Sequence, residues 1–66
     1  MKTPTKYEST TQPGLFYWAE AATENSFAVV MQADGYPATE AADDWFAKFE
    51  DADEIAQQMA AGKYVP

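Results

Sequence analysis

A chain of 66 residues with neither cysteine nor histidine has room for one small domain, and it lacks the residues on which disulfide frameworks, thiol chemistry and imidazole zinc or general-base sites depend. Eleven carboxylates against four lysines give a net charge of −7, so the chain should repel nucleic acid and anionic membrane and be drawn to basic surfaces. Thirteen of the apolar residues are alanine, which leaves a thin core that a partner or a homodimer would extend.

Residues 1–14 are rich in Thr, Lys and Pro, with Tyr7 the one large apolar side chain between Met1 and the turn pair Pro13-Gly14. They read as a flexible tail ahead of a single domain over residues 15–66. The opening holds no hydrophobic run of the signal-peptide kind, and no stretch approaches a membrane span. A soluble cytoplasmic protein is the expectation.

From Leu15 the chain turns aromatic and β-branched. Leu15-Phe-Tyr-Trp-Ala-Glu and Phe27-Ala-Val-Val-Met-Gln are separated by the polar Thr23-Glu-Asn-Ser26, the pattern of two strands joined as a hairpin. Alternation places Phe27, Val29, Met31 and Ala33 on the core face of the second strand. In the first strand Phe16 and Trp18 share a face with Glu20, and Leu15, Tyr17 and Ala19 share the other, so either could face inward. Asp34-Gly-Tyr-Pro37 reads as a turn.

Between Thr39 and Ala61 there is no Gly or Pro and alanine is frequent, which predicts helix. A 3.6-residue period gathers Ala41, Ala42, Trp45, Phe46, Phe49, Ala52, Ile55, Ala56, Met59 and Ala60 on an apolar half, with Thr39 as N-cap and Gly62-Lys63 as terminator. Asp51-Ala-Asp-Glu54 resembles a capping box and offers an alternative: a break near residue 50, with Trp45 to Phe49 as a third strand. The fold class expected is α+β, an antiparallel hairpin or small sheet packed on one long or two short amphipathic helices, with Phe49 central to the contact. The closing Lys63-Tyr-Val-Pro66 reads as extended.

The polar half of that predicted helix carries Asp43, Glu50 and Glu54 in one row and Glu40, Asp44 and Asp51 in another, over ~21 Å at 1.5 Å per residue. Glu40/Asp44 and Glu50/Glu54 repel at i,i+4, and Asp44/Lys48 is the one favourable acid-base pair at that spacing. A face kept polar only for solubility would interleave lysines. Rows of uncompensated carboxylates can stand in for the phosphates of a nucleic acid before a basic groove. Glu20, Glu24 and Asp34 would extend the charge. Paired-acid hydrolysis lacks a cleft in so short a chain, and no nucleophile motif or Gly-rich phosphate loop is present. Asp51-x-Asp53 begins like a calcium loop, but Ile55 and Ala56 stand where an oxygen ligand and a glycine are required. No catalytic, metal or cofactor residues are therefore assigned. The aromatics Phe16, Tyr17, Trp18, Trp45, Phe46 and Phe49 read first as core, and any left exposed would serve as anchors for a protein partner.

Phe16-Tyr17-Trp18, Thr23 to Val29 and Ala33-Asp34 are similar in order and spacing to the first hairpin of the T7-type phage inhibitors of bacterial RNA polymerase. In size and acidity the chain also resembles anti-CRISPR proteins and restriction inhibitors that mimic DNA. The T7-type family relies on arginines in a later strand and this sequence has none, so no contact residues are carried over. The resemblance implies a non-enzymatic inhibitor in the host cytoplasm. The acidic rows themselves supply the expected contact face: Glu40, Asp43, Asp44, Glu50, Asp51 and Glu54 would meet a basic nucleic-acid-binding groove of a larger protein, not nucleic acid or membrane. The competing expectation is a small structural or assembly subunit that docks through exposed aromatics.

Overall fold

Thr23 and Ser26 close the central hairpin: their hydroxyls lie 2.6 Å apart and Thr23 Oγ1 accepts the Asn25 N–H at 3.2 Å, leaving Glu24 and Asn25 at the turn. In the computed structural model, which describes residues 5–63, this hairpin joins β2 (Leu15–Thr23) to β3 (Ser26–Ala33). The two short strands β1 (Tyr7–Glu8) and β4 (Thr39–Glu40) flank it, giving an antiparallel sheet of order β1-β2-β3-β4. One helix, α1 (Phe49–Ala60), lies on one face. The class is α+β, as the sequence predicts.

The ambiguous face of β2 is settled by the register. Ala19 pairs with Val29 and Tyr17 with Met31, so Tyr17, Ala19, Val29 and Phe27 turn toward the helix while Phe16 and Trp18 lie on the other face. The centre of the contact is made of small residues: Ala19, Val29, Ala52 and Ala56 have no exposed surface, and Tyr7, Tyr17, Phe27, Phe46 and Phe49 pack around them. Alanines at 52, 56 and 60 let the helix axis approach the sheet closely, and the rings fill the space at its margins. Phe49 is thus at the edge of the core and half-buried, where it meets Phe27 edge-to-face with ring centroids 5.8 Å apart.

Two expectations are corrected. The helix does not run from Thr39 to Ala61. Thr39 and Glu40 pair with Met31 and Val30 as β4, the Ala41 N–H donates to the Val29 carbonyl at 2.8 Å, and Phe46 exchanges hydrogen bonds of 2.7 and 2.8 Å with Phe27. The outward edge of β3 has backbone donors and acceptors to satisfy, and the 39–46 segment satisfies them in place of its own helical bonds. Thr39 is therefore a strand residue and Lys48, in extended conformation, precedes the helix. The alternative of a break near residue 50 is close to what occurs, although Trp45–Phe49 contributes only the single bridge at Phe46.

Residues 5–14 are not a loose tail. β1 is hydrogen-bonded to β2, the Ser9 hydroxyl is buried and accepts the N–H groups of Thr11 and Gln12, and the Thr10 N–H donates to the Ala60 carbonyl at 2.8 Å. The Tyr7 hydroxyl reaches the Asp53 carboxylate at 2.9 Å. Long-range backbone pairing compensates for the scarcity of apolar side chains in this stretch. Residues 1–4 of the expected tail, and 64–66 of the expected extended end, lie outside the described residues.

The turns follow their sequence signals. Gly14 and Gly35 take positive φ of 85° and 84° in the Pro13-Gly14 and Asp34-Gly35 turns. At the end of α1, Gly62 at φ 73° donates to the Met59 carbonyl and Lys63 to that of Gln58, a Schellman termination.

Candidate functional site

Beyond β4 the chain alternates between the interior and solvent. Ala41 and Ala42 are half-buried, Asp43, Asp44 and Trp45 are exposed, and Phe46 returns to the core. This segment runs beside α1 without closing on it. Between them lies a groove of about 610 Å³, floored by Tyr17, Met31, Phe46, Ile55 and Met59 and bordered by Ala41 and Ala42. Asp43 and Asp44 stand on its wall. Across from them, Asp51 precedes Ile55 by one helical turn and so projects on the groove side of α1.

The six carboxylates singled out from the sequence are all exposed, but they do not share one helix face. Glu40 belongs to β4, Asp43 and Asp44 to the β4–α1 connection, and Glu50, Asp51 and Glu54 to the first turns of α1. The two rows at i,i+4 spacing therefore do not exist, because residues 40–48 are not helical. What the fold brings to the groove is Asp43 and Asp44. Glu54 sits on the side of the helix away from the buried Ala52, Ala56 and Ala60. Glu50 and Asp51 are in the first turn, where their charge complements the helix dipole. Asp53 is turned to the β1 side and bound by Tyr7 and Gln57. Burial and the neighbouring Asp53 carboxylate push the Tyr7 phenol above its ordinary pKa.

Trp45, placed in the core stripe by periodicity, is 51% exposed. Its indole N–H donates to Glu40 Oε1 at 2.6 Å, so an accessible ring is held beside a carboxylate. Among the described residues Tyr36, in the β3–β4 connection, is the other large exposed ring, at 69%. Neither the Trp45–Glu40 pair, five residues apart, nor the groove is visible in a helical wheel. The signal that could have pointed to the groove is the pair of methionines, Met31 on β3 and Met59 on α1, since flexible thioethers suit adaptable surfaces.

The sheet face opposite α1 carries a second apolar cluster of Trp18, Ala28 and Val30 with Phe16 against it. Trp18 is nearly sealed: the Lys6 ammonium lies 4.6 Å from its ring centroid and the indole N–H donates to Glu20 at 2.8 Å. A shallow depression of about 350 Å³ beside it is lined by Lys6, Phe16, Gln32 and Asp34. Among the described residues no group of three acids converges on a point that could hold a metal ion, and no helix is long and apolar enough to cross a membrane. No protein-family model, curated protein or solved structure matches this chain.

Proposed function

We propose that this chain is a non-enzymatic inhibitor that occupies a basic, nucleic-acid-binding surface of a larger protein in the cytoplasm, using the carboxylates of the β4–α1 connection and of α1. The observation that carries the reading is exposure: ten of the eleven carboxylates are exposed, and Glu40, Asp43, Asp44, Glu50, Asp51 and Glu54 fall within fifteen residues of one another, on β4, the β4–α1 connection and α1. A surface of this kind gains little from internal pairing and much from a basic partner, both in encounter rate and in specificity. The hairpin resemblance to phage inhibitors of bacterial RNA polymerase makes that enzyme the first target to assay.

The test is capture of partners on the immobilised chain at low salt, followed by elution with salt and, separately, with nucleic acid. The reading expects one partner to leave under both treatments and to be lost by the variant Asp43→Asn/Glu50→Gln/Glu54→Gln. A partner that stays bound in high salt, tolerates nucleic acid and ignores the variant would overturn it. The exposure of Trp45 and Tyr36 favours a second reading, a small assembly subunit that docks through aromatic anchors. That interface would be nearly indifferent to salt.

A further inference from the structure

We infer that the groove between α1 and the 41–46 segment is a receptor for a basic amphipathic helix of the partner, which seats a bulky aliphatic side chain on Met31, Ile55 and Met59 and sets lysine or arginine against Asp43, Asp44 and Asp51. The inference rests on the reading of the acids as a docking surface and names the chemistry of what docks there.

Three observations select this occupant. The floor is apolar and includes two methionines, with Ile55 and Met59 half-buried, so side chains that could pack on a ligand are already in place and adaptable in shape. The border is acidic, with Asp43 and Asp44 on one wall and Asp51 placed by helical spacing one turn ahead of Ile55. That border repels a second copy of a chain whose net charge is −7 and attracts a cationic segment. The adjoining strand edge is also taken. The Val29 carbonyl already accepts Ala41 at 2.8 Å, and Phe27 is bonded in both directions to Phe46. A ligand on the floor therefore meets the side chains of Tyr17 and Met31 on the sheet face and not the β3 ladder, which is the mode of a helix laid in a groove. From Ile55 to Met59 the helical wall runs ~6 Å, about one turn of such a ligand.

The probes are two synthetic helical peptides of equal charge, one with lysine and leucine on opposite faces and one with alanine replacing every leucine. Each is titrated into the isotope-labelled native chain and followed by amide shifts. The leucine peptide is expected to bind at least about tenfold more tightly, to shift Met31, Ala41 to Asp44, Ile55 and Met59 together, and to weaken as salt rises. Equal affinities, with shifts scattered over the exposed carboxylates, would overturn the groove and leave the acidic docking surface standing. Binding of neither peptide at low salt would overturn both. Leucine-dependent shifts at Phe16 and Trp18 would move the site to the opposite sheet face. Shifts of the groove amides on simple dilution of the chain would make a second copy the occupant, and each of these last two outcomes also overturns the assignment.

Discussion

Ala19 and Val29 stand opposite each other across the β2–β3 ladder, and both are completely sealed beneath Ala52 and Ala56 of α1. The helix-sheet distance is therefore set by methyl groups, with no slack for a longer side chain. Ala56→Leu should destabilise the fold by about 1–3 kcal/mol through overpacking. Thermal melts check this, and an unchanged Tm would place Ala56 outside the contact.

Phe49 is a marginal member of the core, held by its edge-to-face contact with Phe27. Because the ring is only half-buried, Phe49→Ala should cost about 2 kcal/mol, less than the loss of a central aromatic. Denaturant unfolding with an unchanged m-value would measure it cleanly.

The Tyr7 hydroxyl donates to Asp53 from a strand that the sequence alone assigns to a tail. Tyr7→Phe should lose about 1 kcal/mol. The phenol's pKa is raised above its ordinary value of 10.0 in the fold. The native state therefore keeps this proton where the unfolded chain releases it. The resulting stability is complete below the ordinary value and falls as pH rises past it. Chemical denaturation across the alkaline range should show this loss in the native chain and a smaller one in Tyr7→Phe. Parallel curves would mean the phenol does not couple to folding.

Truncation gives a harsher version of the same test. Deleting residues 1–12 removes β1, the buried Ser9 and the Thr10 bond to Ala60, so the shortened chain should unfold at markedly lower temperature or without a cooperative transition. A melting curve like that of the full chain would show that these contacts are dispensable.

Trp45 separates folding from binding. Its ring is half in solvent, so Trp45→Ala should change stability by no more than about 0.5 kcal/mol. If the aromatic anchor contributes to docking, the same variant should lower partner affinity by tenfold or more, that is ~1.4 kcal/mol. Affinity unchanged in Trp45→Ala, together with full salt sensitivity, would assign the interface to the carboxylates alone.

What could be read from the chain without its fold is what depends on near neighbours. The Thr23–Ser26 hairpin, the inward face of β3, the Gly14 and Gly35 turns, the Gly62 terminator and the helical half beginning at Phe49 are all local: each follows from backbone preference or from a period within a few residues. The exposed acids are also legible as charge. Three things were decided elsewhere in the molecule. Residues 39–46 have the alanine content and apolar period of a helix, yet they complete the edge of β3, because the ladder needs partners whose identity lies eight or more residues away. Tyr7 to Gln12 have little to bury, yet hydrogen bonds to Leu15, Ala60 and Asp53 hold them. The groove over Met31, Ile55 and Met59, with Asp43 and Asp44 on its wall, exists only because that strand-forming segment stops short of the helix. Periodicity describes one element at a time, and a groove between two elements is a property of how they pack.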